Sequence, residues 1–208
     1  MLVAAVAIGL GVGAGALIRG WAPPRSRTAA QASSSPDARP AVRSAVIGAR
    51  NVLTTNDLAV AGWTGAHLDS VGNGTAQFAK ACEHGSERGM GDGEVTAVYV
   101  RGPDGADEFG QQSTFSFGIP PQERAAYRRI NGFYRDCPRS TVRRLPTPAG
   151  VDGDVWRIRA GQPGGDAYAV VVRVGDRIGW ASLYDLRKPV APSQVPSLAT
   201  ALDRRLRR

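Results

Sequence analysis

The chain has 208 residues and a formal net charge of +8, carried by 24 arginines and only two lysines. Residues 1–50 hold six arginines against one aspartate, a net charge of +5, so residues 51–208 carry only the remaining +3. That near balance excludes a duplex-binding domain, which needs a basic face interleaved with polar and aromatic residues. We therefore expect no nucleic-acid partner and, from the length, one globular domain.

Residues 1–21 are predicted to form a transmembrane anchor or signal segment. The first eighteen residues carry no charge, and a helix of that length spans about 27 Å, close to the hydrocarbon thickness of a bilayer. Arg19 and Trp21 follow the apolar run and suit the interface between the bilayer and water. Ala30-Gln31-Ala32 would suit a signal peptidase but lies about twelve residues beyond the apolar run, which favours an uncleaved anchor over a secreted product.

Four glycines alternate within this segment, at positions 9, 11, 13 and 15. A dinucleotide-binding turn needs a strand before it and an acidic residue about 20 positions after it, whereas here only eight residues precede Gly9 and the segment runs into a Pro-rich linker. Small residues four positions apart are instead typical of membrane helices that pack closely together. We therefore expect no cofactor, while self-association of the segment and the oligomeric state stay open.

Residues 22–45 are rich in Pro, Ser, Ala and Arg and have no apolar period, which predicts a flexible linker. The nearby arginines all follow the apolar run, and the positive-inside rule would then leave the next domain in the cytoplasm. The linker and a pair of cysteines favour export instead. We expect a single-pass protein of the cell membrane with an extracytoplasmic domain, or a secreted protein if residues 1–21 are cleaved.

The folded domain is predicted over residues 46–208. Residues 75–84 have helical spacing. Residues 94–101 and 109–118 alternate between apolar and polar side chains, and a turn at residues 103–105 joins them. This part of the chain therefore predicts a short helix followed by a β-hairpin.

The clearest amphipathic helix begins at Pro120 and ends before Pro138. A final helix is predicted from Ser193, with arginines at its carbonyl end. Between these helices lie four strand-like runs, at residues 140–145, 154–160, 168–174 and 177–183. The order of the elements predicts an α+β fold, in which helices pack on one antiparallel sheet after the N-terminal transmembrane helix.

Cys82 and Cys137 are the only cysteines, and an even count in an exported chain predicts one disulfide between them. Cys82 and His84 could also begin a zinc site. That site needs four ligands, and only Cys137 and His67 remain to complete it. The spacing does not support a zinc site, and the exported context favours the disulfide, so we expect no metal.

The sequence offers no recognisable catalytic constellation. His67 and His84 are the only imidazoles, and there is no G-x-S-x-G turn around a serine. Pairs of carboxylates, such as Asp152 with Asp154, lie at turns where solvated acids are common. We expect no enzymatic activity, and a hydrolase that depends on His67 or His84 remains the third hypothesis.

Two features are candidates for ligand binding. Trp63 lies in the loop AGWTGAH and fits no periodic pattern, so it is the first candidate for lining a groove. Arg124, Arg128 and Arg135 lie on the polar face of the amphipathic helix and form the second. An alternative hypothesis is an envelope interaction protein whose C-terminal arginines contact anionic wall polymer or lipid; these are Arg204, Arg205, Arg207 and Arg208.

Three stretches together resemble a known family. They are VLTTNDLAVAGW at residues 52–63, QFAKAC at 77–82 and AYRRINGFYRDC at 126–137. They are similar to the extracytoplasmic sensor domain at the end of mycobacterial receptor Ser/Thr kinases, which also occurs in stand-alone anchored or lipidated proteins of actinobacteria. The resemblance covers residues 46–208.

The resemblance implies an α+β domain with helices packed on an antiparallel sheet around a cleft, paired cysteines, and an unidentified extracellular ligand. No activity is carried over. The chain differs from the family in having one cysteine pair instead of two, and in having Phe133 where a tryptophan usually precedes the cysteine. The resulting hypothesis is a membrane-anchored, non-enzymatic ligand-binding or sensing domain whose ligand is a cell-wall component or a small molecule.

Overall fold

The computed structural model describes residues 46–73, 76–77, 86–87, 90–102, 108–138, 141–159, 166–184 and 190–208. All of them belong to the compact unit Arg39–Arg208. The predicted anchor at residues 1–21 and the linker at 22–45 lie outside the described residues. Within the described part of the chain, no helix is long and apolar enough to cross a membrane.

A seven-stranded antiparallel sheet forms the centre of the domain, with the strand order β1-β4-β5-β9-β8-β7-β6. A separate two-stranded sheet pairs β2 with β3. The strands are β1 His67–Gly72, β2 Ala76–Gln77, β3 Ser86–Glu87, β4 Gly93–Arg101, β5 Glu108–Ser116, β6 Val142–Leu145, β7 Gly153–Ile158, β8 Ala167–Val174 and β9 Arg177–Tyr184.

Three α-helices accompany the sheet: α1 Thr55–Val60, α2 Pro120–Arg135 and α3 Val195–Leu206. A single 3-10 turn at Ala49–Asn51 precedes them. This architecture confirms the α+β fold with helices packed on an antiparallel sheet. The hairpin of β4 and β5, the long helix α2 and the C-terminal helix α3 all lie where the sequence predicts them.

The helices cover both faces of the sheet, because side chains alternate along each strand. On β8, Val170 and Val172 join the core cluster that contains α3, whereas Ala169 and Val171 join the cluster that contains α2. The sheet is therefore a shared middle layer between two hydrophobic cores.

Helix α2 is held on its face by hydrogen bonds as well as by apolar contacts. Nε1 of Trp156 donates to Oδ1 of Asn131 at 3.0 Å, and Nε1 of Trp180 donates to the Tyr134 hydroxyl at 2.6 Å. Each tryptophan can therefore be buried without leaving its N–H unsatisfied. These bonds fix the rotation of α2, and with it the direction in which its outer residues point.

The helix predicted over residues 75–84 is wrong at Ala76–Gln77. These two residues form strand β2 and pair with Ser86–Glu87. Pairing with a segment ten positions further along replaces the local i to i+4 hydrogen bonds that the spacing predicts. The rest of that predicted helix, Cys82 included, lies outside the described residues, as does the turn at 103–105.

Candidate functional site

Trp63 lies in the core and is completely buried, at 0% exposure. Its six-membered ring lies against Gly110 of β5, where a Cβ atom would come within 2.7 Å of Cζ3. Leu183 of β9 borders the same position. The structure therefore gives Trp63 no surface on which to touch a ligand, and burial accounts for a tryptophan that fits no periodic pattern.

The polar edge of Trp63 is satisfied within the domain. Its Nε1 donates to Oε2 of Glu108 at 3.3 Å, and Glu108 forms an ion pair with Arg101. The Arg101 guanidinium also lies 5.6 Å from the centre of the indole ring. Trp63 and this ion pair thus fasten the segment after α1 to the hairpin of β4 and β5.

Arg124, Arg128 and Arg135 are exposed on α2. At 3.6 residues per turn they fall within an arc of about 40° around the helix axis, in a row about 16 Å long. We call these three residues the arginine stripe. No ion pair joins any of them to another described residue. The structure brings the three arginines together but places Trp63 in the core on the opposite face of the sheet.

A polar cluster lies between α2 and the strands beneath it. The Tyr127 hydroxyl donates to Oδ2 of Asp154 at 2.8 Å, and Asp154 also pairs with Arg144. Arg173 lies 5.0 Å from the centre of the Tyr127 ring and pairs with Asp152 at 2.6 Å. Burial, followed by the bond to Asp154, raises the pKa of Tyr127, so its hydroxyl stays protonated and remains a donor.

Glu123 is the unusual member of this region. It is 4% exposed, and its Oε1 atom is buried without a hydrogen-bond partner. Burial raises the pKa of this carboxyl, although Arg173 and Arg124 act in the opposite direction. Sequence reasoning missed it, but a signal was present, because residues 123, 127, 130 and 134 share one face of a helix. A glutamate on that face has to be buried with the other residues that line it.

An open cavity of about 540 Å³ lies where the described chain begins. The charged groups in its lining are the carboxylates of Asp92 and Glu94. Asp92 accepts a hydrogen bond from the Gly118 backbone N–H, and Glu94 accepts one from the Thr96 hydroxyl at 3.4 Å. These carboxylates make the cavity unfavourable for anions. Its other lining residues are Val46, Ile47, Asn73, Gly91, Gly93 and Ser116.

The C-terminal arginines are largely engaged within the domain. Arg205 donates to Oδ2 of Asp57 at 2.6 Å, Arg204 donates to Oδ1 of the same residue at 3.3 Å, and Arg207 pairs with Asp203 at 2.7 Å. Burial opposes ionisation of Asp57, but hydrogen bonds from Thr54 and Arg205 outweigh it and lower the pKa of Asp57. Three of the four arginines proposed to bind polymer are therefore paired with acids of the domain itself.

Cys137 is 6% exposed, and it is not a free thiol. Its predicted partner Cys82 and the neighbouring His84 lie outside the described residues. His67 is exposed on the edge strand β1. Among the residues that the structure describes, no group of three or more His, Cys, Asp or Glu side chains could hold a metal ion.

Comparison with solved structures finds a likeness to the crystal structure of the extracellular domain of PknH from Mycobacterium tuberculosis. The match covers 75% of this chain and 92% of that chain, with a TM-score of 0.54 and 9% sequence identity. The two domains share a distant fold similarity. At that identity the likeness extends to the fold alone. No family model and no curated protein matches the sequence.

Proposed function

We propose that this chain is a non-enzymatic, membrane-anchored, extracytoplasmic domain that binds or senses a ligand. The observation that carries the proposal is the fold shared with the extracellular domain of PknH across 92% of that domain. The same kind of domain is implied by the sequence resemblance at residues 52–63, 77–82 and 126–137. Residues 1–21 would anchor the domain in the membrane, and residues 22–45 would connect the two.

A disulfide between Cys82 and Cys137 belongs to the same proposal. Cys137 is buried at the end of α2 and is not a free thiol, and Cys82 is the chain's only other cysteine. Disulfides persist in oxidising compartments and are rare in the cytoplasm. The state of Cys137 therefore supports export against the opposite orientation that the positive-inside rule suggests.

The surface best suited to an external ligand is the outer face of α2. The arginine stripe is exposed, and none of its three arginines forms an ion pair with a described acid. The alternative of an envelope protein that binds anionic polymer through its C-terminal arginines receives less support, because Arg204, Arg205 and Arg207 pair with acids of the domain. A cell-wall component or a small molecule remains the proposed ligand.

Protease treatment of intact cells tests where the domain lies. We expect externally added protease to remove the epitope of a C-terminal tag from intact cells that produce the protein, while a cytoplasmic control protein stays whole. Survival of the tag until the cells are lysed would contradict the proposed location. A ligand screen follows the melting temperature of the protein with soluble wall fragments, and a shift with one class of fragment would identify the ligand class.

A further inference from the structure

We propose that helix α2 is the docking surface of this domain for anionic phospholipid headgroups, in the same membrane that holds the anchor. The proposal rests on the tether included under the proposed function and adds a second partner for the arginine stripe besides the external ligand proposed there. Three observations support it: the charge on the stripe, the position of α2 beside the point where the described chain begins, and the apolar side chains exposed at that end of the domain.

The charge on the stripe is free to act on a partner. Arg124, Arg128 and Arg135 form one row, and none pairs with another described residue. In the polar cluster beneath α2, Glu123 is 4% exposed, Asp152 binds Arg173 and Asp154 binds Arg144. The exposed Asp92, near the start of the helix, accepts a hydrogen bond from the Gly118 backbone N–H. The exposed Asp136 follows α2 and lies about 100° around the helix from Arg135. The row therefore presents three positive charges to one side.

The beginning of α2 lies at the end of the domain where the described chain begins. Val46, the first described residue, lines the same cavity as Asp92. Asp92 accepts a hydrogen bond from the backbone N–H of Gly118, two residues before α2 begins. The linker that the sequence predicts at residues 22–45 would have a typical span of about 25–30 Å. Helix α2 itself is about 24 Å long, so a linker of that span would let the stripe reach the membrane surface.

Exposed apolar side chains occur at the same end. Ile119, which precedes α2, is 51% exposed, and Val46 is 78% exposed. Pro120 and Pro121 are also exposed. A surface that places apolar residues beside arginines is typical of elements that lie in the headgroup region of a bilayer. A soluble anionic polymer offers no apolar phase for these residues, which is why the observations favour lipid over polymer.

The N-terminus of α2 is not itself the anion site. Pro120 and Pro121 occupy its first two positions and have no N–H to offer. The next two N–H groups, of Gln122 and Glu123, donate to the carbonyl of Ile119. Recognition of phosphate therefore depends on the guanidinium groups, which suit phosphate oxygens well.

Arginine modification in nanodiscs tests the contact. The full chain is inserted into discs of phosphatidylcholine with or without phosphatidylglycerol, treated with phenylglyoxal, and mapped by mass spectrometry. Each arginine near an anionic bilayer gains about a fivefold preference for it. We expect modification of the stripe to slow about fivefold or more in the anionic discs at low salt. The protection should disappear as salt is raised, because exposed charges are screened within about 8 Å at physiological ionic strength.

Exposed arginines outside α2 are the internal controls. Arg143, Arg159 and Arg208 are exposed, have no ion pair among the described residues, and should react equally in both kinds of disc. In a second preparation, Arg128→Gln should reduce the protection of Arg124 and Arg135 about fivefold. The matched variant Arg143→Gln should leave their protection unchanged.

The outcomes separate this inference from the proposed function. Equal modification of the stripe in both discs, with the chain inserted, overturns the lipid contact and leaves the anchored domain intact. Protection by soluble polyphosphate but not by anionic discs overturns it in favour of a polymer. Failure of the chain to enter the discs overturns the tether, and the lipid contact with it.

Discussion

At the scale of single residues, the environment of Glu123 is the least expected feature of the domain. A carboxyl that is 4% exposed and has an oxygen without a partner is costly to ionise. Because its folded-state pKa is raised, its contribution to stability is fully present below the unfolded-state pKa and is lost as pH rises through the folded-state value. Ionisation of Glu123 therefore lowers the free energy of unfolding at neutral pH relative to acid pH.

Replacing Glu123 with glutamine removes that penalty. We expect Glu123→Gln to raise the free energy of unfolding by on the order of 1 kcal/mol at pH 7. The gain should shrink towards pH 4, where the native glutamate is protonated. Urea unfolding of the Arg39–Arg208 unit, followed by tryptophan fluorescence at both pH values, measures it. Asp136→Asn, an exposed carboxyl that directly follows the same helix, is the control, and an equal gain from both variants would refute the account.

The packing of Trp63 leads to a second prediction at this scale. A Cβ atom on Gly110 would lie 2.7 Å from Cζ3 and 2.9 Å from Cη2 of Trp63. We expect Gly110→Ala to lower the free energy of unfolding by about 1–3 kcal/mol, as overpacking of a core does. Gly48 has extended backbone, and a Cβ atom added there would meet no other atom within 4 Å, so Gly48→Ala should change stability by less than about 0.5 kcal/mol. Similar effects of the two alanines in urea unfolding would show that Trp63 is not packed as described.

At the scale of elements, a polar contact joins the short helix α1 to the C-terminal helix α3. Asp57 completes a capping box with Thr54 and accepts two hydrogen bonds from Arg205. The Asn51 side chain donates to the Arg205 carbonyl at 2.9 Å. Both ends of the described chain are therefore fastened to each other on one face of the sheet.

Arg205→Gln tests this junction. We expect it to lower the free energy of unfolding by about 1.5–3 kcal/mol at pH 7, because it removes charged hydrogen bonds from a partly buried carboxylate. Arg204→Gln, at a side chain that is 61% exposed, should cost less than about 1 kcal/mol. The folded-state pKa of Asp57 is lowered, so this stabilisation is present above its unfolded-state pKa and is lost as pH falls through the folded-state value. An Arg205→Gln effect that persists in strong acid would contradict the ion pair.

The elements differ in how well their sequences predict them. Helix α2 and strands β4, β5, β8 and β9 have long periodic patterns, and the structure confirms them. Helix α1 has only six residues and is defined by the capping box at Thr54, which becomes visible only when the cap is searched for. Strand β1 has six exposed residues and a register shift between Leu68 and Ser70, so no alternation marks it. The helix predicted at 75–84 fails at Ala76–Gln77 because strand pairing is not a local property.

At the scale of the whole molecule, the sequence predicts which residues share a face of one helix. It does not predict which residues the sheet brings together from distant parts of the chain. Arg124, Arg128 and Arg135 lie on one helix, so their common face follows from helical spacing. The burial of Trp63 follows from strand order, which sets β5 between β4 and β9 and brings Gly110 under the ring. The pairing of the C-terminal arginines with Asp57 joins residues about 150 positions apart, which periodicity does not encode.

The proposed location of the domain also concerns the molecule as a whole. The proposed function places the domain outside the cytoplasm, and a Cys137 that is not a free thiol fits that location. A bridge from Cys137 to Cys82 would close a long loop and stabilise the domain by roughly 4 kcal/mol on the chain-entropy model. Reduction with dithiothreitol should accordingly lower the midpoint of urea unfolding, and a midpoint that does not move would argue against the bridge.

The most direct test is peptide mapping under non-reducing conditions, on protein taken from its native membrane fraction after free thiols are trapped. We expect a linked peptide pair that contains Cys82 and Cys137, together with recovery of residues 1–21 in the membrane-bound protein. Two separately labelled thiols would contradict it, because they would place the domain in a reducing compartment and reopen zinc binding at Cys82 and His84.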